Sequence, residues 1–126
     1  MEKLKVLIAD DDRSVHELFR LGLNGELYDL KFTENGKDAI EEWKQWGPDV
    51  VLLDIMMPVM SGFTALKEIR RIEAGSGRST PVIVSTALGG KGDVLDCVKV
   101  GVQGYLVKPI KYDELARKIE SCVSRD

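Results

Sequence analysis

The chain has 126 residues, 44% of them hydrophobic and 31% charged, a balance that fits one soluble globular domain and excludes a disordered or fibrous chain. Its 18 Lys and Arg against 21 Asp and Glu give a formal charge of −3, without the basic excess of a dedicated nucleic-acid binder. Cys97, Cys122 and the single His16 are too few ligands at recognisable spacing for zinc, so both thiols are expected to be free, small buried hydrophobes in a reducing compartment.

The first residues, 1–5, lead straight into a short apolar run, unlike the longer one of a signal peptide. Asp54, Pro58 or glycine interrupts the longest apolar stretches before the roughly 18 residues of a membrane span, so the expected location is the cytoplasm. Leu4–Ala9 reads as a first strand, followed by Val15, Leu18, Phe19 and Leu23 at helical spacing. Asp12 stands where it can cap that helix. Tyr28–Thr33 is a second strand, Asn35-Gly36 a turn, and Ala39, Ile40, Trp43 and Trp46 mark one face of a second helix closed by Pro48. Residues 50–53 are apolar throughout, as a central strand covered on both faces must be. Phe63, Leu66, Ile69 and Ile72 form a third helical stripe, and the polar segment 73–80 reads as a glycine-containing loop. Pro81 opens a fourth strand over 82–85. Val94, Leu95, Val98 and Val102 suggest a fourth helix, Gly104–Val107 a short fifth strand, and Leu115, Ala116, Ile119 and Cys122 a fifth helix.

Strand alternates with helix through the whole chain, which predicts one (βα)5 domain over residues 1–126. Its fold class is α/β, a flavodoxin-like doubly wound sandwich with five parallel strands in the order 2-1-3-4-5 and helices on both faces. In such a sheet the functional crevice lies beyond the carboxyl ends of the strands. There the sequence places Asp10-Asp11-Asp12, then Asp54, then Ser85-Thr86, then Lys108-Pro109. Carboxylates about 4 Å apart repel by about 4 kcal/mol at an effective dielectric near 20, so such a cluster needs a cation or a proton. Oxygen-only ligands suit Mg²⁺. Asp10, Asp11 and Asp54 with Mg²⁺ and Lys108 sum to zero charge, a setting suited to phosphoryl transfer onto Asp54 as an aspartyl phosphate.

Four segments carry a family resemblance: Leu7-Ile-Ala-Asp-Asp11, Val51-Leu-Leu-Asp-Ile-Met-Met-Pro58 with Gly62, Val82-Ile-Val-Ser-Thr-Ala87 and Gly104-Tyr-Leu-Val-Lys-Pro109. Together they resemble the receiver domain of two-component response regulators, the chemotaxis regulators among them, over residues 4–123. The resemblance implies that Asp54 is the phospho-acceptor and that Asp10, Asp11, Asp54 and the backbone carbonyl of Met56 hold Mg²⁺, with Mn²⁺ as an alternative ion. It implies that Thr86 and Lys108 bind the phosphoryl oxygens, that Tyr105 is the aromatic switch, and that the Lys108-Pro109 bond is cis. Ala87 and Met56 border the phosphoryl group, and small Ala87 leaves water access, implying a lifetime limited by hydrolysis. Implied partners are a sensor histidine kinase or phosphotransfer protein and a downstream effector or output domain, with neither nucleic acid nor membrane bound directly. The readout surface would be the fourth helix, fifth strand and fifth helix.

One departure is Ser61, where many members carry Asp before the glycine; it can still cap the third helix. Another is the segment 87–93, whose three glycines imply a loop that orders only on phosphorylation. The chain would not be an enzyme beyond its own phosphorylation and dephosphorylation. An aspartate-nucleophile phosphatase would need an acid two positions after Asp54, where Met56 stands. A flavin carrier would need a phosphate loop where Asp10, Asp11 and Asp12 repel phosphate. A stand-alone regulator and a receiver taken from a longer protein both remain open.

Overall fold

The computed structural model describes residues 2–87 and 91–123. Five strands, β1 (Leu4–Ala9), β2 (Tyr28–Thr33), β3 (Val50–Asp54), β4 (Val82–Thr86) and β5 (Gly104–Val107), alternate with helices α1 (Arg13–Gly22), α2 (Gly36–Trp46), α3 (Gly62–Glu73), α4 (Lys91–Val100) and α5 (Leu115–Cys122). The sheet is parallel throughout, in the order β2-β1-β3-β4-β5. Alternation along the central strands divides the core in two. Leu7, Val51, Leu53 and Val84 pack with Ala39, Ile40, Trp43, Leu66 and Ile69 of α2 and α3. Val6, Ile8, Val50, Leu52 and Ile83 pack with Phe19, Leu115 and Ile119 of α1 and α5. That division explains why β3 is apolar at consecutive positions, since each side chain meets a helix on its own face.

Three helices begin on side-chain caps, two of them expected from sequence at Asp12 and Ser61, the third at Asn35, where a turn was expected. Asp12 accepts from the Ser14 N–H at 2.9 Å, Asn35 from Asp38 at 2.8 Å and Ser61 from Thr64 at 3.1 Å. The chain leaves α2 through Gly47 at φ 63°, a left-handed turn that glycine adopts without steric cost.

Two expectations are corrected and a third is refined. In α4 the predicted stripe is out of phase: Leu95 and Val98 are exposed, Cys97 is fully buried, and Val102 lies beyond the helix. Val94, Cys97 and Val100 face the core instead. Leu95 and Val98 make the face adjacent to Cys97 apolar as well, so periodicity alone does not select the buried face; packing on α3 and β4 does. Cys122 is half-buried rather than buried, with its Sγ 3.5 Å from the Gln103 carbonyl. The polar segment 73–80 is anchored at both ends, where Glu73 and Thr80 are each 6% exposed. Of the expected phosphorylation-ordered loop, residues 88–90 lie outside the described residues.

Val59 stands at φ 67° with its side chain 81% exposed, inside a turn where the Met60 N–H reaches the Pro58 carbonyl at 2.7 Å. A β-branched residue in this region is strained by about 1–2 kcal/mol. Val59→Gly removes that strain against a greater loss of chain entropy, so a net gain of about 0.5–1 kcal/mol is expected in urea denaturation.

Candidate functional site

Asp10 lies one residue beyond β1 and is held at its backbone from two sides. Its N–H donates to the Thr33 carbonyl at 3.0 Å, and its own carbonyl accepts from His16 Nε2 at 2.7 Å. Its side chain is 2% exposed and accepts the Asp12 N–H at 2.9 Å. Asp54 closes β3 at 5% exposure and accepts the Met56 N–H at 3.1 Å. Asp11 is exposed beside them. One oxygen from each of Asp10, Asp11 and Asp54 lies within 4.8 Å of the others.

Lys108 follows β5 and is carried into the cluster by the ladder, its N–H bonding the Thr86 carbonyl at 2.8 Å. Its Nζ is 2.8 Å from Asp10 Oδ2 and 3.1 Å from Asp54 Oδ2. The peptide bond to Pro109 is cis. Thr86 is buried, its hydroxyl donating to the Ala87 carbonyl at 3.2 Å, and Ala87 is exposed at the rim. Tyr105 is half exposed and lies with its ring beside Lys118 Nζ at 6.0 Å. Met56 presents its side chain to solvent. The residues singled out in sequence therefore converge on one end of the sheet, except Tyr105, which stands outside the acidic cluster on the β5 surface.

Sequence reasoning missed His16 as a support, having weighed it only as a metal ligand. The signal was its position one turn into α1, directly after the acidic run. The close approach of Gly62 was also missed: a Cβ there would lie 2.0 Å from the Asp54 carbonyl oxygen. The Gly62 N–H instead bonds the Ile55 carbonyl at 2.9 Å.

Burial raises the Asp54 pKa above the usual carboxylate value, and the Asp10 charge pushes the same way; Lys108 and the Met56 N–H offset this only in part. For Lys108, burial alone would lower the pKa, but its bonds to Asp10 and Asp54 and their charges outweigh it, so the value rises and the amine stays charged. A carboxyl whose folded pKa is raised penalises the folded state above that pKa, and the penalty fades as pH falls through it. Asp54→Asn is therefore expected to melt at a higher temperature than the parent at neutral pH without divalent cations, with the advantage shrinking toward acid. Thermal melts in chelator across that pH range check it.

The parallel (βα)5 sheet thus brings acids from the carboxyl ends of β1 and β3 and a lysine from the end of β5 into one cluster. The family model described as "Response regulator receiver domain" matches residues 6–120, so the chain belongs to the response regulator receiver domain family of two-component systems. The chemotaxis protein CheY of Bacillus subtilis is 34% identical over 122 residues, covering 95% of this chain and 98% of that protein. A probable transcriptional regulator, ycf27 of Guillardia theta, is 35% identical over 98% of this chain, which spans only 46% of that relative's length. Among solved structures, the CheY of Borrelia burgdorferi in a CheX-CheY-BeF3-Mg²⁺ complex is 29% identical with a TM-score of 0.81, covering 94% of this chain and 87% of that one. No helix among the described residues is long and apolar enough to cross a membrane.

Proposed function

We propose that this receiver domain takes a phosphoryl group onto Asp54 in a Mg²⁺-dependent reaction and thereby switches a docking surface for a downstream partner. The observation that carries this reading is the gathering of three carboxylates within 4.8 Å with Lys108 bridging two of them. Three carboxylates and one lysine leave a charge of −2, and the donors are all oxygen, so the site fits one Mg²⁺ with room for water and phosphate oxygens. Asp10, Asp11 and Asp54 would hold it, with the Met56 carbonyl as the further donor the resemblance implies. The ion, with Mn²⁺ as an alternative, supplies neutralisation of the charge on the transferring phosphoryl oxygens.

The donor is the phosphohistidine of a sensor kinase or phosphotransfer protein, or a small phosphodonor. The P–N bond breaks with its electron pair leaving on the donor nitrogen, while a carboxylate oxygen of Asp54 forms the new P–O bond. Asp54 must be ionised to attack, and the Lys108 ammonium at 3.1 Å favours that form. The product carries about −1.5 to −2 charge. That charge draws Lys108 onto the phosphoryl oxygens and turns the Thr86 hydroxyl away from the Ala87 carbonyl toward them. Inward movement of Thr86 frees space that Tyr105, half exposed in the structure, then fills. The exposed apolar residues Leu95, Val98, Tyr105 and Val107 on α4 and β5 form the surface whose partner affinity changes, as a shift between two pre-existing states. The chain acts on itself alone rather than turning over a substrate, and the cytoplasm is its place of action. The effector contact is with protein rather than with nucleic acid or membrane.

Intact mass after incubation with acetyl phosphate and Mg²⁺ tests the reading. The parent is expected to gain one phosphoryl group, and the Asp54→Asn variant none. Addition to both would move the acceptor elsewhere, and addition to neither would remove phosphorylation from the account.

A further inference from the structure

A groove of about 790 Å³ lies on the edge of the sheet opposite β5 and takes no part in the proposed phosphorylation chemistry. It runs along the outer edge of β2 between one face of α1, with Arg13, Glu17 and Arg20, and one face of α2, with Asp38, Glu41 and Glu42. The Leu4 N–H bonds the Leu27 carbonyl and the Asp10 N–H the Thr33 carbonyl, and the β1–β2 register is continuous from Leu4 with Tyr28 to Ala9 with Thr33. The main-chain groups of Asp29, Lys31 and Thr33 therefore face β1, and those of Leu30 and Phe32 face outward along the strand edge, with Phe32 in the groove and Leu30 just beyond its end.

The groove carries unbalanced charge. Arg13 is paired with Glu34 and Arg20 with Glu17, and Lys31 reaches Glu42 at 3.4 Å. Asp38 and Glu41 make no ion pair among the described residues, so the α2 wall is acidic. Thr33 also lines the groove at 8% exposure, and its Oγ1 is the one buried side-chain polar atom without a hydrogen-bond partner among the described residues. Charged side chains can simply guard a sheet edge against indiscriminate pairing. A guard, however, needs no groove and no surplus of one sign.

We propose that this edge docks an extended basic segment of a partner protein, which adds to the sheet as a further strand beside β2. The N–H and C=O groups of Leu30 and Phe32, without a backbone partner among the described residues, call for a ligand that both donates and accepts along its length, as a peptide backbone does and a polyamine does not. Alternate side chains of an added strand face opposite sides, so Lys or Arg at every second position meets Asp38, Glu41 and Glu42, while the residues between face Phe32 and α1. This surface lies at the far edge from α4 and β5 and is independent of the phosphorylation reading.

The test uses a short capped peptide alternating lysine and valine, a glutamate–valine counterpart, and spermine, each titrated into the intact chain. Binding is read by fluorescence anisotropy and amide exchange by NMR. The lysine peptide is expected to bind and to slow exchange of the Leu30 and Phe32 amides by at least about tenfold. The variant Glu41→Lys changes an exposed residue of α2 that makes no ion pair among the described residues, so it should fold normally and bind the lysine peptide several-fold more weakly. Equal binding of the glutamate peptide, full competition by spermine, or binding without protection of those two amides would each overturn the proposal.

Discussion

Replacing Gly62 with alanine is expected to destabilise the fold by about 3 kcal/mol and to abolish phosphoryl acceptance in whatever fraction remains folded. The first residue of α3 abuts the end of β3. A Cβ at Gly62 would lie 2.0 Å from the Asp54 carbonyl oxygen, 2.8 Å from its carbonyl carbon and 3.0 Å from the Ile55 Cα. All three are backbone atoms, so no side chain can rotate away. Either α3 lifts from the sheet, opening the packing of Leu66 and Ile69, or the end of β3 moves and takes Asp54 with it. The second route separates Asp54 from Lys108, whose bond of 3.1 Å tolerates little displacement, and the first breaks the bond from the Gly62 N–H to the Ile55 carbonyl that braces the residue next to Asp54. Urea denaturation measures the first effect and intact mass with acetyl phosphate the second. Gly25→Ala is the control, since nothing lies within 4 Å of a Cβ there. Parent-like stability of Gly62→Ala would show that the approach is looser than the geometry states.

The second large effect lies at the opposite end of the sheet. Arg70 donates to the Gly101 carbonyl at 3.0 Å, the Thr80 carbonyl at 2.9 Å, Gln103 Oε1 at 3.2 Å and Glu73 Oε1 at 2.6 Å. Glu73 also accepts the Thr80 N–H at 2.7 Å, and Gln103 accepts the Val82 N–H at 2.7 Å. One guanidinium thus joins the end of α3 to the chain entering β4 and the chain entering β5. Arg70→Ala leaves Glu73, whose side chain is 5% exposed, charged and without its cation. Removing one partner of a buried pair typically costs about 3–5 kcal/mol, much of it the burial of the charge left behind. A loss of about 3 kcal/mol is expected in urea denaturation, because Thr80 still bonds Glu73. Arg70→Met with Glu73→Met should recover much of it, since apolar replacement of both partners removes the unpaired charge. A double variant no more stable than Arg70→Ala would mean that the bonds to Gly101 and Thr80 matter more than the charge.

The same network shows where sequence reading stops. The segment 73–80 has the polar, glycine-containing composition of a surface loop, and between its ends it is one: residues 74–79 are exposed. Nothing local marks Glu73 as buried, because its partners are Thr80 and an arginine that also reaches Gly101 and Gln103, some 30 positions on. Likewise, α4 has apolar residues on two adjacent faces, and only its seat against α3 and β4 selects Cys97 over Leu95 and Val98. The support of Asp10 by His16 and the contact of Gly62 with Asp54 also require tertiary structure, since each depends on how a helix lies against a strand end.

The sequence by itself determined the alternation of five strands with five helices, the helix caps at Asp12 and Ser61, and the candidate residues Asp10, Asp11, Asp54, Thr86 and Lys108. These are local properties: hydrophobic period, cap chemistry and position at a strand's carboxyl end, which a parallel sheet brings together whatever the remaining contacts. Only the tertiary structure decided that Lys108 spans Asp10 and Asp54, that Tyr105 lies outward, and that an acidic groove runs beside the β2 edge. Each is a relation between segments far apart in the chain, set by the register of the ladder and the seating of helices, neither of which has a local signature.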